Sequence, residues 1–339
     1  MNKQKKCVIL CVLVLCVSLL SNVQTVYGAA KFQDASLGAL HVEGTKLCDS
    51  KGNTVQLRGV STHGLSWYPK YVNDKCFKEL HDKWGANVVR LSMYTEEYNG
   101  YCTGDAANRK SLKALVKKGV KLAEKHDMYV IIDWHILSDG NPMSHKKAAK
   151  SFFKEMSETF SDYDNVIYEI CNEPNGGTTW KTIKSYANEV IPVIRNNDED
   201  AVIIVGTPTW SQELDKAVAS PIQEDNVMYA LHFYANTHQD SLRKTTEDAI
   251  KEGLPVFVTE FGICDASGYG SVNKTQANKW IKLLDKYKVS YVAWNLSNKD
   301  ETAALIKSSC TKTSGFKRSD LSTSGKWYYD LLRKKAGKA

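Results

Sequence analysis

The sequence predicts an α/β fold, a (β/α)8 TIM barrel with an N-terminal β-hairpin, on three observations. Short apolar runs rich in β-branched residues recur along the chain, longer amphipathic stretches separate them, and the runs number eight. Continuous apolar strands alternating with helices belong to a parallel sheet covered on both faces. An open doubly wound sheet would carry a Gly-rich first turn, and none is present, so eight units are expected to close on themselves.

The chain opens with a basic MNKQKK, an apolar CVILCVLVLCVSLL and a small-residue exit at Gly28-Ala29-Ala30, the pattern of a secretory signal peptide over residues 1–30. Its 14 apolar residues fall short of the roughly 20 that span a bilayer, so no membrane association is expected after its removal. Residues 31–339 contain no low-complexity linker and no evident repeat, and read as a single catalytic domain. With the signal go Lys3, Lys5 and Lys6 and no acidic residue, which takes the formal charge from +7 to +4. That excess is spread along the chain and does not suggest nucleic acid. Six cysteines remain (Cys48, Cys76, Cys102, Cys171, Cys264 and Cys310), scattered without a CxxC pair, which argues against a zinc ribbon or redox motif. Export permits disulfides, and the spacing does not say which cysteines pair.

HVEGTKLCDSKGNTVQL (41–57) reads as a hairpin turning at Asp49–Asn53 and capping the barrel bottom. The barrel strands are then VQLRGVS (55–61), NVVRLSM (87–93), MYVIIDW (128–134), NVIYEIC (165–171), AVIIVG (201–206), NVMYALH (226–232), PVFVTE (255–260) and VSYVAWN (289–295). Between them, 112–126, 148–160, 182–196 and 273–287 carry helical periodicity.

A barrel of this kind builds its active site at the C-terminal ends of its strands. Those ends hold His63, Arg90, Asp133, His135, Asn172, Glu173, His232, Tyr234, Glu260 and Trp294. Taken alone, Asn172-Glu173-Pro174 reads equally as helix punctuation, an N-cap followed by a first turn. Alternation puts Glu169, Cys171 and Glu173 on one side of their strand, so only position at its end favours Glu173. Glu260 closes an apolar run and must be paired, solvated or functional, and Arg90 inside VVRLS calls for a carboxylate partner. Two glutamates at one barrel mouth are what glycoside hydrolysis requires: one protonates the leaving oxygen, the other attacks the anomeric carbon or activates water.

RGVSTHGLSW (58–67), VVRLSMY (88–94), IIDWH (131–135), YEICNEPNG (168–176), LHFYA (231–235), TEFG (259–262) and AWNLSNKDE (293–301) together resemble glycoside hydrolase family 5, cellulase family A, and most closely its bacterial secreted endo-β-1,4-glucanases. The resemblance implies a retaining mechanism with Glu173 as acid/base and Glu260 as nucleophile, and a β-glucan polysaccharide as substrate. It implies that Arg90 and Tyr234 hold Glu260 ionised and that Asn172 contacts the sugar 2-hydroxyl. His135 and His232 would surround the cleaved bond, with Trp294 a platform under the adjoining sugar. Lys299 and Glu301 would bind the neighbouring glucose, and His63, Trp67 and Tyr94 would line the non-reducing side. Trp210 and Ala266 complete the expected substrate contacts. Trp84, Trp280 and Trp327 are expected in packing roles, and Trp180 is left open between the two.

Three rivals stand beside this reading. A metal-dependent hydrolase could draw on Asp133, His135, His232 and Glu260, but no HExxH or HxH spacing supports it, and no metal or cofactor is expected. A non-catalytic carbohydrate-binding protein would not need both glutamates with Arg90 and Asn172. The same machinery acting on xyloglucan, lichenan, mannan or xylan differs only in loop contacts. A secreted monomer without a binding module is expected, acting better on soluble or amorphous chains than on crystalline cellulose.

Overall fold

The computed structural model of the protein describes residues 38–338, so the signal-peptide segment lies outside the described residues. Strands β3 (Arg58–Thr62), β4 (Val88–Tyr94), β5 (Tyr129–His135), β6 (Val166–Glu169), β7 (Val202–Val205), β8 (Val227–Tyr234), β9 (Val256–Gly262) and β10 (Tyr291–Leu296) form a closed barrel, each parallel to its neighbours, with β10 returning to β3. Each of the eight expected runs overlaps one of these strands, with bounds that differ by a few residues. Helices follow over Ala106–Lys125, Lys146–Phe160, Trp180–Arg195 and Lys274–Tyr287, close to the periodic stretches, and three more over Asp74–Glu79, Asp240–Lys251 and Thr323–Lys335. No helix among the described residues is long and apolar enough to cross a membrane.

The strands bury both faces, and the two faces feed two cores. Val60, Val89, Leu91, Val130, Ile132, Tyr168 and Ile203 point outward and pack with helix residues such as Val116, Phe152, Ile183 and Trp280. Leu57, Val88, Tyr129, Ile131, Ile167, Val202, Ile204, Met228, Phe257 and Val292 fill the lower barrel. Leu40, just before the N-terminal strand β1 (His41–Glu43), and Leu47, in β2 (Lys46–Cys48), join that inner cluster and cap the bottom as the hydrophobic pattern requires.

The hairpin turns earlier than expected. His41 pairs with Cys48 and Glu43 with Lys46, so the turn falls at Gly44-Thr45, where Gly44 takes a left-handed φ of 57°. Asp49–Asn53 makes a second turn, closed by one bridge between Cys48 and Thr54 and by the Asp49 Oδ1 atom, which accepts from the Lys51 and Asn53 amides. The cysteines Cys48, Cys76, Cys102, Cys171, Cys264 and Cys310 are free thiols, and all but Cys102 are buried.

The fourth barrel strand ends sooner than its apolar run does. Glu169 is in register with Asp133 and Ile204, and the Ile170 amide still donates to the Ile204 carbonyl. The next bond to β5 comes from the amide of Asn172, which donates to the Trp134 carbonyl, one residue later than a regular ladder would place it. That slip sends Ile170 and Cys171 together into the outer core. The expected alternation of Glu169, Cys171 and Glu173 on one side therefore fails: Glu169 points into the barrel, Cys171 out of it, and Glu173 stands beyond the strand.

Candidate active site

An open cleft of about 600 Å³ lies at the C-terminal mouth of the barrel. It is lined by the predicted residues His63, Tyr94, His135, Glu173, Trp210, His232, Tyr234, Glu260, Ala266, Trp294, Lys299 and Glu301. Arg90 and Asn172 lie beneath it, both fully buried, and Trp67 stands behind it, its ring 4.7 Å from Tyr94 and 5.6 Å from His63. Leu137, Thr209, Gln212, His238, Ser267 and Gly268 also line the cleft and were not predicted. They sit on irregular loops or at a turn, where hydrophobic periodicity carries no signal.

Arg90 organises the floor. Its Nε and Nη2 donate to the two oxygens of Glu169 at 2.7 and 3.1 Å, Nη2 also reaches the Asn172 side-chain oxygen at 2.6 Å and Asp133 at 3.0 Å, and Nη1 donates to Glu260 at 3.2 Å. Burial would raise Glu169, but Arg90 and His232 outweigh it and hold the carboxylate down at about 2. Burial pushes Asp133 well up, with Arg90 opposing. Sequence reasoning gave Arg90 to Glu260; the structure gives its forked contact to Glu169, a pairing across 79 residues. Asn172 is correspondingly occupied: its amide nitrogen donates to the Ile136 carbonyl at 2.9 Å and lies 3.3 Å from His135 Nε2. A sugar hydroxyl would have to displace the longer of these contacts.

Above this layer stand the two glutamates. Glu260 accepts from the Tyr234 hydroxyl at 2.7 Å as well as from Arg90, while Glu173 accepts from His232 Nδ1 at 2.8 Å. One carboxylate oxygen of each, together with a ring nitrogen of His232, all lie within 4.8 Å of one another. Burial raises Glu260, Glu173 adds to that, and His232, Arg90 and His135 oppose it. Burial and the second carboxylate thus outweigh the pull of the donors, while Arg90 and Tyr234 stand against Glu260 as expected.

The three histidines divide by environment. His232 donates from Nε2 to the Thr259 hydroxyl, which in turn donates to Glu169. Burial works against its charge, but Glu169 and Glu173 raise it to about 9, so the imidazolium uses both nitrogens as donors. His63 and His135 are pushed down by burial, to about 3 and about 4. The His63 Nδ1 accepts from the Gly64 amide, which leaves Nε2 as its donor, and His135 Nδ1 meets Asp133 at 2.6 Å.

These shifts set a pH dependence of stability. A charged His232 stabilises fully below its ordinary value of 6.5, and that contribution, up to roughly 3 kcal/mol, is lost as the pH rises through about 9. Neutral His63 and His135 act oppositely: their contribution is whole above 6.5 and is lost as the pH falls toward 4. Thermal unfolding should therefore peak near pH 6.5, and His232→Gln should flatten the alkaline side; an unchanged alkaline slope in the variant would contradict the assignment.

The remaining contacts form the walls. Trp294 lies nearly parallel to the His135 ring, 5.3 Å away at 15°, with His63 at 5.1 Å. The Lys299 ammonium meets Glu301 at 2.6 Å, and Asn295 donates to the other Glu301 oxygen. Ala266, whose amide donates to Thr237, presents a small side chain to the cleft. Trp210 is 45% exposed on a left-handed turn in which Thr209, Trp210 and Ser211 all have φ near 56°. Trp84 and Trp280 are fully buried and Trp327 is half-buried, as expected. Trp180 is buried outside the cleft, its indole donating to the Ser220 carbonyl.

Comparison with known proteins supports the same reading. The model of the cellulase family, glycosyl hydrolase family 5, matches residues 48–300. Endoglucanase A of Butyrivibrio fibrisolvens is 51% identical over 87% of this chain and 68% of its own length. An endoglucanase of Clostridium saccharobutylicum is 49% identical over 85% of this chain and 63% of its own, so the match spans about two thirds of each relative. Among solved structures, the catalytic domain of Thermobifida fusca endoglucanase Cel5A in complex with cellotetraose superimposes with a TM-score of 0.83, at 39% identity over 88% of this chain and 98% of that one. The fold, the glutamate pair at the barrel mouth and these matches agree: the chain belongs to glycoside hydrolase family 5, the cellulase family.

Proposed function

We propose that the protein is a secreted endo-β-1,4-glucanase that hydrolyses internal bonds of cellulose and related β-glucans by double displacement with retention. The observation that carries this is the approach of one carboxylate oxygen of Glu173 to one of Glu260 within 4.8 Å. Retaining pairs stand about 5 to 5.5 Å apart, whereas inverting pairs need at least roughly 6.5 Å to admit a water.

Roles divide by neighbours. Glu260 holds two donors, Tyr234 and Arg90, that suit an anion, and it is the nucleophile. Glu173, with His232 beside it, opens on the cleft; protonated in the substrate complex, it delivers its proton to the leaving oxygen and then takes one from the incoming water. His232, fixed through Thr259 to Glu169, holds the Glu173 carboxyl in place through both steps. The relatives are named endoglucanases, and one solved relative carries cellotetraose, which supports a β-glucan chain along the aromatic walls. The protein acts as a monomer outside the cell, with no nucleic acid or membrane partner.

The test is reducing-sugar release from a panel of soluble β-glucan, xyloglucan, mannan and xylan, with the anomer of the first product read by NMR. β-1,4-Glucan is the preferred substrate, the first product is the β-anomer, and release persists in EDTA. Binding without release, or an α-anomer, would sink the reading.

A further inference from the structure

The large hydrophobic side chains most exposed among the described residues are Tyr98, Tyr269 and Trp210. Isolated surface aromatics need no explanation, but Trp210 lies in the cleft and Tyr269 adjoins its lining. Trp210 lines it, the Tyr98 carbonyl accepts from the indole of Trp67, and Tyr269 follows Gly268 on the rim. Tyr269 is 58% exposed, and its ring has the Lys299 ammonium 5.4 Å from its centroid.

The loop that carries Tyr269 is held firmly. Asp265 accepts from the amide and hydroxyl of Ser267, the Ser267 hydroxyl accepts from the Tyr269 amide, and Thr302 donates to the Tyr269 carbonyl at 2.7 Å. The Ala303 amide closes the loop on the Gly268 carbonyl at 2.9 Å. A Cβ at Gly270 would stand 1.4 Å from an Asp265 carboxylate oxygen, so a larger residue there would push Asp265 from its contacts with Ser267. An exposed aromatic on a fixed loop costs little entropy to use as a contact surface.

The chemistry of the pair is specific. Lys299 is gripped by Glu301 on one side and faces the Tyr269 ring on the other, so hydroxyl-binding groups stand next to an aromatic face. A β-linked glucose needs that combination, since its C–H faces are apolar and its equatorial hydroxyls form a polar edge. We infer that Tyr269 is the platform of an outlying sugar subsite, holding a glucose beyond the one bound by Lys299 and Glu301. This subsite rests on the glucanase reading and extends it to longer chains.

Tyr269→Ala and Tyr269→Phe, compared with the parent on cellotriose through cellohexaose, test it through kcat/KM at each length. Stacking of this kind is worth roughly a 3- to 10-fold effect. For the alanine variant the loss should step in at one chain length, reach that size and persist for all longer oligomers, while phenylalanine keeps the parent's profile. A uniform loss at every length would mean that Tyr269 acts only by ordering Lys299, and no loss would mean that it does nothing; either overturns the subsite while leaving the glucanase reading intact. A parent that cleaves none of the oligomers overturns both.

Discussion

Glu260→Gln should abolish turnover of β-glucan, with kcat reduced by about 10⁴-fold or more, while the protein stays folded. The amide is isosteric: its oxygen can accept from Arg90 while its NH2 donates to the Tyr234 hydroxyl, so the geometry survives. What is lost is the carboxylate that would bond to the anomeric carbon, and removal of a nucleophile is among the costliest changes an active site can suffer. Stability should move the other way. Glu260 is buried and raised by Glu173, so a neutral side chain there relieves a repulsion and should hold or raise the melting temperature. Full loss of activity with an unchanged or higher melting temperature is the expected pair of results; residual activity within tenfold of the parent would remove Glu260 from its role. Glu173→Gln provides the contrast, losing about 10²- to 10⁴-fold on glucan but far less in bond cleavage on an aryl glycoside whose leaving group needs no proton.

Arg90→Met should cost about 3 to 5 kcal/mol of stability and most of the activity, because it removes one partner of a buried ion cluster and leaves the others behind. Arg90 and Glu169 are fully buried, and Asp133 shares the same guanidinium. Urea unfolding at neutral pH should show the full deficit. The deficit should then narrow as the pH falls, because Glu169 is held at about 2 in the parent: the stability it contributes is present above its ordinary 4.5 and is lost toward pH 2. A loss of similar size at all pH values would mean that packing around the side chain, rather than charge, is what Arg90 contributes.

The barrel strands were legible because they are continuous apolar runs buried on both faces, and the hairpin because its leucines have nowhere else to go. Glu173 and Glu260 were legible by position and resemblance. What stayed hidden was long-range or irregular. Glu169 looked like a decoy beside Glu173, and nothing local announces that it takes the forked contact of an arginine 79 residues earlier. The slip at Ile170-Cys171 breaks a two-residue period that sequence reasoning must assume. The helix at Asp240–Lys251 is short and polar with few apolar positions, so its face emerges only against the barrel wall.

The left-handed turn at Thr209–Ser211 has a consequence for engineering. The Trp210 amide donates to the Pro174 carbonyl at 3.0 Å and the Ser211 hydroxyl donates to the Asn172 carbonyl at 2.7 Å, so the turn is fastened on both flanks of Glu173. The loop after the fifth barrel strand and the segment that bears Glu173 are therefore one module. A chimera that exchanges the first with a relative, in order to alter which chain ends it releases, would inherit a mismatched seat for its proton donor unless residues 170–175 travel with it.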